Sequence, residues 1–125
     1  MGGSKTARLH SGRHRLIRLK LDADACALVS CVAKSRRVGM RAMLGGDRGS
    51  SDLALARQIS IYLLRVLLGR RYENIGELFW RSRSTVQHAC HVIEQLREDD
   101  PLLDAQIAKI ESLGWGEADE VRHAA

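Results

Sequence analysis

Aromatic side chains are scarce in this sequence: two tryptophans, two tyrosines and one phenylalanine stand among 125 residues. The core must therefore consist mainly of Leu, Ile, Val and Ala, which suits packed helices better than an aromatic-rich sheet. No run of about 18 apolar residues occurs, so we expect no transmembrane helix. The basic start of the chain is not followed by an apolar stretch of the length that a secretory signal needs, which favours a cytoplasmic location.

Cysteine is also rare, and the odd number of three (Cys26, Cys31 and Cys90) favours free thiols in a reducing compartment. The segment from His88 through Cys90 to His91 invites a zinc hypothesis. On a helix, however, this spacing does not put three ligands on one face. We therefore expect no metal site, no cofactor and no catalytic Cys–His pair, and hence no enzyme.

The charge is distributed unevenly along the chain, whose formal net charge is +5. Residues 1–20 hold six basic and no acidic side chains, whereas residues 93–125 hold three basic and nine acidic ones. A basic front and an acidic rear favour a polyanion such as nucleic acid as the partner. We divide the chain into a flexible basic arm (1–21), one helical domain (22–114) and a flexible acidic tail (115–125).

Within residues 22–114, apolar side chains recur with helical spacing in four segments separated by capping residues and glycines. The expected N-caps are Asp22 for the first of these helices and Ser51 or Asp52 for the second, and Pro101 is expected at the first position of the last helix. This pattern predicts an all-α fold, a compact bundle of five to six helices. Residues 14–21 are mixed in character and favour a short extended segment, and residues 45–50 are a loop by composition. The apolar stripes are Ala25, Leu28, Val29 and Val32; Leu55, Ile59, Tyr62 and Val66; Val86, Ala89, Cys90, Ile93 and Leu96; and Leu103, Ile107 and Ile110.

The most informative stretch runs from residue 74 to residue 89. It has the pattern of a short helix, a tight turn at Trp80 and Arg81, and the polar start of a longer helix, which is typical of a helix-turn-helix DNA reader. Ser82 is a suitable N-cap for the second helix, because its hydroxyl can accept a hydrogen bond from the amide of Thr85. The next polar side chains would then contact DNA: Arg83, Ser84, Gln87 and His88.

Three blocks of this sequence, at residues 56–63, 75–79 and 81–90, together resemble the C-terminal DNA-binding domain (domain IV) of the bacterial replication initiator DnaA. The family signature around the recognition helix is Arg-Asp-His-Thr-Thr-Val-x-His-Ala. Here it stands as Arg81-Ser82-Arg83-Ser84-Thr85-Val86-Gln87-His88-Ala89. The resemblance covers roughly residues 23–113 and implies a helix-turn-helix of the DnaA domain IV and Trp-repressor type.

This resemblance implies binding to double-stranded DNA at DnaA-box-like sites. The residues expected to read bases are Ser82, Arg83, Ser84, Thr85 and Gln87. Those expected to bind the DNA backbone are Arg48, Arg57, Gln58, Arg81, His88 and His91. Ser82 and Arg83 replace an acid and a histidine of the family pattern, so the preferred site is expected to differ from the usual one.

The phosphate-binding loop Gly-x-x-x-x-Gly-Lys-Ser/Thr does not occur in the sequence, so we expect no ATPase and no origin-melting activity. The chain then resembles a stand-alone DnaA-related protein, similar to HdaB, that regulates replication initiation as a monomer at the nucleoid, without contact to membranes. One alternative is an interaction protein that modulates the initiator DnaA or its inactivation factor, with little DNA binding. A more distant alternative is a helix-turn-helix transcriptional regulator.

Overall fold

The computed structural model describes residues 12–45 and 50–115, and all regular secondary structure in these two ranges is helical. The predicted all-α class is therefore confirmed. These ranges contain seven helices, one more than the upper end of the predicted count. They are α1 (Gly12–Lys20), α2 (Ala23–Arg36), α3 (Met40–Leu44), α4 (Ser51–Val66), α5 (Tyr72–Phe79), α6 (Arg83–Asp99) and α7 (Pro101–Glu111).

The additional helix is α1, and the expectation of an extended segment at residues 14–21 within a flexible arm was wrong. Leu19 is fully buried, and Arg15, one helical turn earlier, is 1% exposed, so this side of α1 packs on the domain. The Nε of Arg15 donates to the carbonyl of Leu44 at 2.6 Å. A charged residue at the inward position concealed the helical period. Residues 1–11 of the predicted arm lie outside the described ranges.

The start of α2 is fixed by Asp22, as predicted. Its carboxylate accepts a hydrogen bond from the amide of Ala25 at 3.2 Å. The same carboxylate accepts two hydrogen bonds from Arg70, at 2.9 and 3.0 Å, and so connects the start of α2 to the segment after α4. Hydrogen bonding to Arg70 lowers the pKa of Asp22. The predicted stripe of α2 is fully buried.

Helix α4 is the centre of the domain and packs against α2, α3, α5 and α6. Its N-cap is Ser50, whose hydroxyl accepts from the amide of Leu53 at 3.1 Å, one or two residues before the predicted caps Ser51 and Asp52. Val66 was expected in the core, but it is the last residue of the helix and is 48% exposed. Gly69 follows in the left-handed conformation (φ 64°), which allows the amide of Arg70 to donate to the carbonyl of Leu64.

Helix α7 is joined to the end of α6 by a charged cluster around Arg97. The guanidinium of Arg97 donates to Asp104 at 2.6 Å, to both carboxylate oxygens of Glu111 at 2.9 and 3.0 Å, and to the hydroxyl of Tyr62 at 3.2 Å. These partners raise the pKa of Arg97. Pro101 occupies the first turn of α7, as predicted. Residues 116–125 of the predicted tail lie outside the described part of the chain, in which no helix is long and apolar enough to cross a membrane.

Candidate nucleic-acid interface

Helices α5 and α6 form the two arms of a helix-turn-helix, and Gly76 allows their close approach. A Cβ atom at Gly76 would lie against the carbonyl oxygen of Arg81, well inside van der Waals contact, and 3.7 Å from the side chain of Val86. The amide of Arg81 donates to the carbonyl of Gly76 at 2.8 Å. Only glycine therefore fits where the turn crosses α5.

The turn itself depends on Trp80, which ends α5 in the left-handed conformation (φ 51°, ψ 57°). This position corresponds to the predicted turn and is usually taken by glycine, since a side chain there costs about 1–2 kcal/mol. The indole of Trp80 is 49% exposed and lies 5.8 Å, ring centroid to guanidinium carbon, from Arg15. The cation–π geometry with Arg15 offsets part of that cost.

The recognition helix α6 begins as the sequence predicts. The Oγ of Ser82 accepts a hydrogen bond from the amide of Thr85 at 3.2 Å, and it lies 2.9 Å from the Thr85 hydroxyl and 3.2 Å from the Ser84 hydroxyl. The amide groups at the start of a helix carry partial positive charge and favour an anion in front of them. No acidic residue stands in the first turn of α6 to oppose this field.

The polar face of α6 points away from the core over its first three turns. Val86, Ala89, Cys90 and Ile93 are buried on the opposite face, as predicted. Burial raises the pKa of the Cys90 thiol, which marks it as a core residue. The predicted DNA contacts on α6 and its cap are all exposed except the half-buried Gln87: Ser82, Arg83, Ser84, Thr85, His88 and His91. In the described ranges, no group of three or more His, Cys, Asp or Glu side chains is arranged to hold a metal ion.

Arg83 has two partners on α5 that the sequence analysis missed. Its Nε lies 3.3 Å from a carboxylate oxygen of Glu73, and its guanidinium lies 5.9 Å from the ring centroid of Tyr72. Both contacts connect residues about ten positions apart, so no local spacing signals them. They hold the exposed guanidinium against α5 and thereby set its direction at the start of the recognition helix.

The start of α4 contributes the second predicted group. One depression of about 120 Å³ between α4 and α6 brings five of the predicted contacts together: Arg57, Gln58, Arg81, Thr85 and His88. Predicted backbone contacts and one predicted base contact are therefore neighbours. The Nε of Arg57 donates to the carbonyl of Met43 at 2.8 Å, and its side chain is only 5% exposed. Burial, together with the nearby charge of Arg81, lowers the pKa of Arg57. A guanidinium nevertheless remains charged.

A wider depression of about 450 Å³ follows α6 on the side of α5. Gln87, His88 and His91 line it together with Tyr72. Arg48, the last predicted backbone contact, lies in the segment 46–49, outside the described residues.

The family described as the bacterial DnaA protein helix-turn-helix matches residues 27–93, more than half of the chain. The match extends from α2 into α6, so α1 and α7 lie outside it. The matched region contains the helix-turn-helix and the residues that line the depression between α4 and α6. The resemblance inferred from the three sequence blocks is thus confirmed.

Individual relatives show the same similarity. The chain is 41% identical over 64 residues to the chromosomal replication initiator protein DnaA 2 of Chlamydia pneumoniae, covering 51% of this chain and 14% of that protein. It is 35% identical over 82 residues to DnaA 2 of Chlamydia trachomatis, covering 66% and 18%. It is 41% identical over 71 residues to DnaA of Sphingopyxis alaskensis, covering 56% and 16%. The chain thus spans less than a fifth of the length of these relatives.

Proposed function

This chain belongs to the bacterial DnaA helix-turn-helix family, and from that premise we propose that it binds double-stranded DNA at DnaA-box-like sites and regulates the initiation of replication. Homology to this domain supports DNA binding and a link to replication initiation. The single observation that carries the proposal is the exposed polar face at the start of α6, which stands directly beside the arginine-lined depression of α4.

In this proposal the two groups of side chains have different tasks. One group reads base edges in the major groove, since its members are the N-cap and the first two turns of α6: Ser82, Arg83, Ser84, Thr85 and Gln87. The other group holds backbone phosphates and consists of Arg57, Gln58, Arg81, His88 and His91, with Arg48 as a further phosphate contact. Phosphate contacts fix the register of the protein on the duplex, and base contacts supply the preference for one sequence.

Arg83 is the main determinant of site preference in this proposal. A guanidinium favours the O6 and N7 atoms of guanine, and each good base contact contributes about 1–3 kcal/mol of discrimination. Because Arg83 is held by Glu73 and Tyr72, its direction is restricted before DNA arrives. We therefore expect a guanine-containing variant of the DnaA box to be preferred.

We further propose that this chain acts by occupying its sites, without ATP hydrolysis. The 125 residues contain no phosphate-binding loop of the P-loop type. Occupied sites near an origin change the access of an initiator to the DNA, so regulation does not require a motor in the same domain.

The test is fluorescence anisotropy with a DnaA-box duplex and a scrambled duplex, at two salt concentrations. We expect tighter binding of the box duplex, with a preference that persists at the higher salt, because base contacts depend less on counterion release than phosphate contacts do. The variant Arg83→Ala should reduce the preference between the two duplexes by about 5- to 100-fold, as for one lost base contact.

The matched control is Lys109→Ala, which removes the same charge from an exposed position on α7, a helix that lies away from the recognition helix start. It should leave the preference unchanged. Equal binding of both duplexes by the parent protein, with a steep salt dependence, would contradict site-specific recognition.

A second candidate function is binding of the initiator DnaA itself, and the exposed apolar residues at the two ends of α7 favour it. Leu102 is 84% exposed and Leu113 is 59% exposed. The measurement is sedimentation of the purified protein with purified DnaA in the absence of nucleic acid. Co-sedimentation that Leu102→Asp abolishes would support this candidate, and independent sedimentation would exclude it.

A further inference from the structure

A buried arginine on α1 lacks partners for most of its donors. Arg15 is 1% exposed, and its Nε donates to the carbonyl of Leu44. Its Nη1 and Nη2 atoms have no hydrogen-bond partner in the described part of the chain. Burial lowers the pKa of Arg15, yet the group stays charged at neutral pH. A buried charge without a counter-charge is unfavourable, and groups perturbed in this way cluster at functional sites.

Two other guanidinium groups lie near Arg15. Arg15 and Arg57 donate to the consecutive carbonyls of Leu44 and Met43, at 2.6 and 2.8 Å. Arg81 lowers the pKa of Arg15 and of Arg57, and Arg15 also lowers the pKa of Arg57. The Nη1 of Arg81 donates to the carbonyls of Phe79 and Trp80 at 2.9 and 3.0 Å. Backbone carbonyls carry only partial charges. Positive charge is therefore concentrated where α1, the end of α3, the start of α4 and the turn meet.

Arg81 is the member of this group that an anion reaches. It is half-buried and lines the 120 Å³ depression between α4 and α6, together with Arg57. Arg15 lies behind it, beneath the ring of Trp80. Since charges interact more strongly across the protein interior than through water, an anion at Arg81 lies within the field of Arg15.

We propose that Arg15 completes a phosphate-binding site with Arg57 and Arg81, as a positioning residue that raises the positive potential of the site without touching the anion. The anion is a DNA backbone phosphate, so this inference rests on the proposed function. It extends the interface to α1, which lies outside the region that the family match covers.

The first experiment follows thermal unfolding in inorganic phosphate and in chloride at equal ionic strength. A ligand that binds only the folded state raises Tm, so phosphate should raise the Tm of the parent protein above its value in chloride. Arg15→Gln removes the charge but keeps an N–H donor for Leu44, and it should lose at least half of that rise. Arg15→Lys keeps the charge and should retain most of it.

The matched control is Arg18→Gln, on the same helix and one turn from Arg15. It removes the same formal charge, but Arg18 is exposed and already paired with Glu77 at 2.7 Å. The rise in Tm that phosphate produces in Arg18→Gln should equal the rise in the parent protein. Equal rises in Arg15→Gln and Arg18→Gln would overturn the inference.

The second experiment measures DNA binding of the same variants. Arg15→Gln should weaken binding of the box and scrambled duplexes by a similar factor, about fivefold at low salt, because a phosphate contact carries no sequence information. Arg18→Gln should change both by less than about twofold, as expected for an exposed charge that is already paired. If the parent protein prefers the box but Arg15→Gln binds like the parent, the inference fails while the proposed function stands.

The third experiment needs no variant and therefore does not depend on variants that fold. Titration of the parent protein with inorganic phosphate should shift the NMR signal of the Arg15 Nε–H together with those of Arg57 and Arg81, and leave that of Arg18 in place. A stationary Arg15 signal overturns the inference. Shifts at all three arginines in a protein that binds neither duplex would instead support a site for free phosphate and overturn the proposed DNA function.

Discussion

Replacing Gly76 by alanine should force the turn of the helix-turn-helix away from α5. The new Cβ would overlap the carbonyl oxygen of Arg81, which is backbone and cannot rotate away as a flexible side chain could. Overpacking of this kind costs about 1–3 kcal/mol. The higher helix propensity of alanine returns about 1 kcal/mol. Because the overlapping atom is backbone, the cost of overpacking lies in the upper part of its range, about 2–3 kcal/mol. We therefore expect a net loss of about 1–2 kcal/mol in the free energy of unfolding.

For a domain of this size, each 1 kcal/mol of that loss lowers Tm by roughly 4–8 °C, which calorimetry or circular dichroism resolves easily. DNA affinity should fall as well, because Arg81 and the start of α6 move with the turn. The matched control is Gly39→Ala, since a Cβ there meets no atom within 4 Å. A Gly76→Ala protein with the parent's Tm would refute the argument that close approach at the turn requires glycine.

Two further predictions concern ion pairs. Glu73→Gln removes a carboxylate beside the candidate interface and releases Arg83 from it. An exposed pair contributes about 0.2–1 kcal/mol, so binding of both duplexes should tighten by up to about fivefold in low salt and less in high salt. The preference for the box should fall, because Arg83 loses one of the contacts that direct it, and weaker binding of both duplexes in anisotropy would contradict this. Hydrogen bonding to Arg70 lowers the pKa of Asp22 in the folded protein. The charged Asp22 therefore contributes fully to the free energy of unfolding above about pH 4, the ordinary pKa of an aspartate. This contribution is lost as the pH falls through the lower pKa of the folded state. Asp22→Asn keeps a capping side chain without the charge, so the difference in Tm between parent and variant should shrink between about pH 6 and pH 2.5, and a constant difference would argue against this role.

Local chemistry explains which parts of the fold the sequence predicts well. Ser82, Asp22 and Pro101 act on amides or backbone angles within three residues of themselves, so their roles follow from the sequence alone. The N-cap of α4 was misplaced because Ser50, Ser51 and Asp52 are all competent caps, and only the packing of the helix selects among them.

Helix α1 shows the opposite case. Its inward positions are Arg15 and Leu19, and a charged residue at a buried position removes the apolar period by which a helix is recognised. The contact of Arg83 with Glu73 likewise depends on how α5 and α6 cross, which no local pattern encodes. The sequence thus predicted the exposed polar face at the start of α6, whereas the interactions that orient its side chains depend on tertiary packing. The DNA contacts themselves stay predictions.

The two ends of α6 have separate physical roles, and this separation makes the candidate interface open to change. At the C-terminal end, Arg97 binds Asp104, Glu111 and Tyr62, and so anchors the helix to α7 and α4. At the N-terminal end, the exposed side chains of residues 83–85 contribute little to the core. Substitutions there should change affinity and site preference while altering the free energy of unfolding by no more than about 0.5 kcal/mol, as is usual for surface positions. A recognition helix anchored at one end can therefore acquire a different base preference without loss of the fold, which is consistent with the replacements at Ser82 and Arg83.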